Sequence, residues 1–173
     1  MSLTGIHHTG IIVKDLDRSI YFYHDLLGAV FVSEPSPWFD GEGLSRGVGV
    51  PGASLRQVNL RIGGAQLELL EYGNRPEGDT APAPQNRLGA MHIGIRVDDA
   101  AATKAELEKK GIRFLSDLNV VDEGTLAGWR WVYFRDPDGI TLELVEEAYS
   151  ETDKHAVAVA EYLANRPSLE SLI

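Results

Sequence analysis

Four ionisable residues occupy equivalent places in the two halves of this 173-residue chain. His8 opens the motif His-x-Gly-Ile-x-Val-x-Asp, and His92 opens a second copy 92 − 8 = 84 positions later. Glu68 and Glu143 each lie in a Leu-Glu-Leu segment that closes one half. A repeat of this kind predicts the architecture before any local pattern does.

These residue types together suit a divalent metal ion. Two imidazoles and two carboxylates are ligands for first-row divalent metals, and the carboxylates neutralise the ion's charge. The chain has no cysteine, which excludes thiolate ligands and disulfides. Singly, each residue also fits a structural histidine or a solvent-facing glutamate, but the shared flanking pattern favours one joint site. We predict one divalent ion (Zn, Ni, Co, Mn or Fe) held by His8, Glu68, His92 and Glu143.

The elements around the four residues repeat as well. In each half, alternating β-branched stretches surround one helical stretch, which predicts two βαβββ modules in an α+β fold. The modules are predicted at 4–72 and 89–147, within one domain over 1–147. The Gly- and Pro-containing segment 73–88 reads as their linker.

Two further segments have no counterpart in the repeat. Residues 148–173 are predicted to form a C-terminal helical extension that packs on the domain or on a partner subunit. Its apolar stripe consists of Ala156, Val159, Ala160 and Leu163. Residues 34–54 are predicted to be a long loop rich in Gly and Pro.

Strand alternation assigns faces to the residues of the first half. If the opening strand runs from Ile6 to Val13, His8 faces the metal, and His7 points away from His8 as a structural residue. Asn59 lies on the polar face of its strand, as Glu68 does. We therefore predict that Asn59 contacts the substrate.

The same strand alternation predicts pocket residues in the second half. Trp131 and Tyr133 should face the ligand side, where aromatic rings with polar tips suit a pocket wall. Arg96 stands four residues after His92 on the same strand face. It is predicted either to bind a substrate carboxylate or to be a rim arginine.

The composition of the chain limits the kinds of partner that it is expected to bind. The formal net charge of −10 argues against a nucleic-acid or anionic-membrane surface. No apolar run reaches the length of a membrane span, and the N-terminus lacks the pattern of a signal peptide. We expect a cytoplasmic protein that acts on a small molecule.

Two longer patterns carry a family resemblance. The first extends the opening motif through Leu16, Ser19, Phe22-Tyr23 and Leu27-Gly28, and the second is Asp-Pro-Asp-Gly-x-x-Leu-Glu-Leu at 136–144. Over roughly residues 5–147 the chain resembles the vicinal oxygen chelate superfamily. That superfamily includes glyoxalase I, methylmalonyl-CoA epimerase, extradiol dioxygenases and fosfomycin- and bleomycin-resistance proteins. The resemblance implies paired modules whose curved mixed sheet cups a metal, the same four ligands, and a homodimer.

The ligand number discriminates among the chemistries of this superfamily. Four protein ligands on a six-coordinate metal leave two positions, enough for a bidentate enediolate or thioester enolate. An extradiol dioxygenase needs three open positions, so Glu68 disfavours it. By resemblance, Glu143 or Glu68 is the catalytic base of a glyoxalase-type (lactoylglutathione-lyase-like) isomerase or lyase. The alternatives are an Fe(II)-dependent extradiol-type dioxygenase and a non-catalytic binding or resistance protein.

The substrate and the module pairing stay open at this point. Glutathione-dependent relatives carry an Arg and an Asn where this chain has Ile12 and Tyr72, which disfavours glutathione adducts. Epimerases usually carry a His-Pro-Lys segment where this chain has 135–138. The four ligands can converge within one chain or between two chains that exchange modules.

Overall fold

The computed structural model describes residues 3–76, 78, 84–124, 126–148, 159 and 161–165. Within these residues, no helix combines the length and apolarity needed to cross a lipid bilayer. The predicted α+β fold is confirmed: each half forms its own mixed sheet, and each sheet opens with a strand, a helix and a return to the sheet.

The first half builds a sheet of five strands. Its elements are β1 (Thr9–Val13), α1 (Leu16–Ile20) with a π-helical continuation (Tyr21–Leu26), β2 (Val30–Phe31), β3 (Phe39–Asp40), α2 (Glu42–Val48), β4 (Ser54–Ile62) and β5 (Ala65–Tyr72). The strand order is β1-β5-β4-β2, with β3 also paired to β4. β1 runs parallel to β5, whereas β4 and β5 form an antiparallel hairpin.

The second half repeats the plan with four strands. Its elements are β6 (His92–Arg96), α3 (Ala100–Lys109), β7 (Asn119–Val120), β8 (Arg130–Arg135) and β9 (Thr141–Glu146). The order β6-β9-β8-β7 corresponds to that of the first sheet, and β6 is again parallel to its neighbour β9. Asp15 and Asp99 stand at corresponding places and cap α1 and α3, each accepting a hydrogen bond from a backbone amide of the first turn.

The loop prediction for 34–54 is partly wrong, because β3 and α2 lie inside it. β3 forms because Phe39 and Asp40 extend the edge of β4, opposite Leu55 and Ser54. α2 ends at Val48 and is capped by Gly49, whose φ of 69° is a left-handed conformation that favours glycine.

Only part of the C-terminal extension is described. Residues 159 and 161–165 are helical, and the Val159 and Leu163 side chains are exposed rather than packed on the domain. Ala156 and Ala160 lie outside the described residues. Packing of this stripe on a partner subunit stays a prediction.

One hydrophobic core joins the two halves. Strand alternation sends Ile11, Val13, Leu67 and Leu69 of the first sheet to the helix side. Val132, Phe134, Leu142 and Leu144 of the second sheet belong to the same buried cluster. The opposite faces of both sheets therefore remain available for polar groups.

A buried hydrogen bond connects the helix of the first half to the turn before β9. The Tyr23 hydroxyl donates to the Asp136 carboxylate over 3.1 Å, and both residues are buried. The other oxygen of Asp136 accepts from the Asp138 and Ile140 amides at 2.9 and 2.8 Å. Burial raises the pKa of Asp136, and burial together with the neighbouring Asp136 raises the pKa of Tyr23.

The same turn is tied to the first half through Asp138. Its carboxylate accepts from the Lys14 amide at 2.9 Å and pairs with the Arg18 guanidinium. The turn therefore holds the first residues of α1 and the start of β9 in a fixed relation.

Replacing Tyr23 by Phe should lower the free energy of unfolding by about 1–3 kcal/mol, because it leaves a buried Asp136 oxygen without its donor. Denaturant unfolding of the two proteins measures the effect. Tyr21→Phe is the matched control, since Tyr21 is exposed on the adjacent turn. Equal stability of Tyr23→Phe and the wild type would contradict this role of the hydrogen bond.

The raised pKa of Asp136 predicts a pH-dependent stability difference between the wild type and Asp136→Asn. A carboxyl whose pKa is raised by folding contributes stability that is present below its unfolded pKa and is lost as pH rises through the folded pKa. The free energy of unfolding of the wild type, minus that of Asp136→Asn, should therefore fall as the pH rises above the unfolded pKa of an aspartate, about 3.9. A difference that rises with pH above this value would refute the assignment.

Candidate metal centre

The first His–Glu pair lies where β1 begins, on the face opposite the core. His8 immediately precedes β1, and Glu68 on the parallel neighbour β5 is in register with Gly10. The Nε2 atom of His8 stands 3.4 Å from Oε2 of Glu68. The His8 side chain is 39% exposed and the Glu68 side chain 20% exposed, so the pair faces open space.

The second pair reproduces this geometry. His92 is the first residue of β6, and Glu143 on β9 is in register with Gly94. The Nε2 atom of His92 stands 3.3 Å from Oε2 of Glu143. Burial raises the pKa of Glu143, while His92 beside it acts in the opposite direction.

The glycine of each motif is explained by its place opposite the carboxylate. A Cβ atom at Gly94 would lie 3.6 Å from Oε2 of Glu143, and one at Gly10 would lie 3.9 Å from Oε2 of Glu68. These are ordinary contact distances, so a methyl group fits. Glycine leaves that side of each carboxylate without a side-chain contact from this position.

The donor spacing fits a shared metal ion. Two N or O atoms, each about 2.1 Å from one ion, stand about 3.0 Å apart in octahedral and about 3.4 Å apart in tetrahedral geometry. The two observed separations, 3.4 and 3.3 Å, fall in this range. They are also long for a charge-assisted hydrogen bond.

One chain presents two pairs rather than one four-ligand centre. In the described part of the chain, no group of three or more His, Cys, Asp or Glu residues is placed to hold a metal. Each pair also lies beside an edge strand, since β1 and β6 stand at the ends of their sheets. Convergence of all four ligands stays a prediction.

The predicted aromatic wall lies beside the second pair. Tyr133 is in register with Glu143, and its ring centroid is 5.3 Å from that of His92. The Trp131 ring lies 5.1 Å beyond Tyr133. Burial and the Glu143 charge raise the pKa of Tyr133, so the hydroxyl remains a donor near neutral pH.

The other two predicted substrate residues differ in their surroundings. Asn59 is in register with Glu68, and its carbonyl oxygen accepts a hydrogen bond from the Gln66 amide at 3.0 Å. Arg96 is mostly exposed and donates to Glu147 at 3.2 Å. Asn59 therefore lies next to a proposed ligand, whereas Arg96 lies at the rim.

The prediction that His7 points away from His8 is wrong. The Nδ1 atoms of the two rings are 2.8 Å apart, and the rings are nearly perpendicular. The prediction assumed a strand from Ile6, but β1 begins at Thr9, so strand alternation does not apply to His7. Only the adjacency of two histidines could have indicated this contact.

Comparison with known proteins identifies the family. A family model described as the Glyoxalase/Bleomycin resistance protein/Dioxygenase superfamily matches residues 5–144. The chain belongs to this superfamily. A glyoxalase family protein from Bacillus cereus has the same fold, with a TM-score of 0.70 over 86% of this chain and 97% of that one, at 24% identity.

The curated relatives of the chain include epimerases. A 2-epi-5-epi-valiolone epimerase from Actinomyces sp. is 33% identical over 144 residues, or 82% of this chain and 78% of that protein. The mitochondrial methylmalonyl-CoA epimerase of Mus musculus is 33% identical over 116 residues, or 66% of this chain and 58% of that protein.

Proposed function

We propose that this protein is a metal-dependent isomerase or lyase that moves a proton at the carbon next to a substrate carbonyl. The observation that carries the proposal is the repeated His–Glu pair with donor atoms 3.3–3.4 Å apart. His8, Glu68, His92 and Glu143 would hold the ion. When bound, a divalent cation supplies Lewis acidity to the carbonyl oxygen.

The proton is carried by the glutamates in this proposal. Burial raises the pKa of Glu143, which brings its basicity closer to that needed for removing a proton at neutral pH. Glu68 belongs to the first module, whereas Glu143 belongs to the second, so Glu68 would approach the substrate from a different side. One carboxylate then takes the proton from one face of the carbon, and the other, which starts protonated, donates its own proton to the opposite face; this is epimerisation.

The residues around the two His–Glu pairs favour a hydroxylated substrate. Trp131 and Tyr133 offer ring faces, while Asn59 offers a hydrogen-bonding amide close to Glu68. Rings with hydroxyl groups satisfy both surfaces, since their C–H faces stack and their hydroxyls pair with amides. Together with the valiolone epimerase relative, this makes small polyhydroxylated ketones the first substrate class to assay.

We further propose a cytoplasmic homodimer in which each centre combines modules of two chains. Support comes from the two separate His–Glu pairs, whose imidazoles are 39% and 41% exposed. A cleft of about 800 Å³ follows β1 and the start of β6, the edge strands next to the pairs. Unpaired strand edges are natural docking sites for another chain. A twofold axis then forms two equivalent centres.

Metal content and the Glu143→Gln variant test the chemistry. The wild type should bind one divalent ion per chain and epimerise its substrate. Glu143→Gln should lower kcat by about 10²–10⁴-fold, because it removes a proton acceptor. Glu106→Gln on the exposed face of α3 is the control. Full activity of Glu143→Gln, or iron-dependent oxygen uptake with catechols, would contradict the proposal.

Mixing two inactive variants tests the exchange of modules. His8→Ala damages the first module and Glu143→Gln the second, so a heterodimer with exchanged modules has one intact and one doubly damaged centre. Differently tagged chains, co-expressed and purified as heterodimers, should regain about half of the wild-type activity and metal content. A heterodimer of His8→Ala with Glu68→Gln is the control, because every centre in it is damaged. Failure of the first pair to regain activity would place each centre within one chain.

A further inference from the structure

We propose that His7 is a positioning residue for His8: it accepts a hydrogen bond from Nδ1 of His8 and so presents Nε2 of His8 to the metal. The inference rests on the proposed metal centre. It is carried by the contact of 2.8 Å between the two Nδ1 atoms.

The two nitrogens of His8 have different neighbours. Nδ1 faces His7, whereas Nε2 faces Oε2 of Glu68 at 3.4 Å. A metal on the Glu68 side must therefore be bound through Nε2, which then carries no proton. The neutral ring keeps its proton on Nδ1, and the Nδ1 atom of His7 is the acceptor within reach.

A hydrogen-bond partner of a metal-binding histidine affects the affinity for the metal, because it fixes both the tautomer and the orientation of the histidine ring. The rings of His7 and His8 meet edge to face at 85°, with centroids 5.1 Å apart. This fixes the direction of Nε2 at a residue that lies outside β1 and so lacks the constraint of strand hydrogen bonds.

Among the described residues, the second half has no such histidine pair before its ligand and so supplies an internal control. The residue before His92 is Met91, whose exposed fraction is 76% and whose side chain has no nitrogen to accept a hydrogen bond. His92 is the first residue of β6 and has the Tyr133 ring beside it. The positioning role of His7 therefore belongs to one of the two repeated ligands.

Metal affinity of three variants tests the role. Competition with a chromophoric chelator gives the Kd of purified metal-free protein for Zn²⁺ and Ni²⁺. His7→Phe keeps a ring but removes the acceptor and should raise the Kd by about 10–100-fold. His7→Asn places an amide oxygen near the former Nδ1 position and should restore most of the affinity. Met91→Phe should leave the Kd unchanged.

Unfolding of the metal-free proteins separates positioning from stability. His7 is exposed and outside the core, so His7→Phe should have the wild-type melting temperature without metal. A lowered melting temperature, a wild-type Kd for His7→Phe, or a Kd for His7→Asn as high as that of His7→Phe would overturn the inference. If the wild type itself binds neither ion, the proposed metal centre fails together with this inference.

Discussion

The candidate site depends on the register between the opening strand and the parallel closing strand of each half. In both sheets this register sets a glycine opposite a glutamate, Gly10 with Glu68 and Gly94 with Glu143. The histidine two residues before each glycine has its Nε2 atom beside the carboxylate, although His8 itself lies just outside β1. A slip of one residue would send the glutamate into the core and a leucine to the site. The core and the site therefore specify the same register.

The turn at 136–139 links this register to the rest of the molecule. Asp136 is held by Tyr23 from the first half and by two backbone amides of its own turn. β9 starts two residues after the turn and carries Glu143. The buried polar contact between the halves thus lies close in sequence to the strand that presents a proposed base. Tyr23 and Asp136, which occur in the two family motifs, have a structural role that explains their place there.

Much of the fold and of the candidate site follows from the sequence, because the repeat and the alternation of side chains along a strand can both be read from it. They predict both modules and the placement of Trp131 and Tyr133 beside the second pair. The alternation rule fails at His7, which lies outside the strand, and the short β3 depends on its pairing with β4, which no local pattern encodes. Whether the two pairs meet depends on how modules associate, and the pattern within each module carries no information on this.

The two halves repeat in backbone but differ in the chemistry around their proposed ligands. His8 contacts the imidazole of His7, and Glu68 is in register with Asn59. His92 and Glu143, in contrast, both lie next to Tyr133. A twofold cup with identical walls would bind a substrate equally well in two reversed orientations. Unlike walls would remove that degeneracy, so a given face of the substrate carbon would always meet the same carboxylate. In the proposed epimerisation, this difference would let Glu143, whose pKa is raised by burial, and Glu68 act as distinct bases.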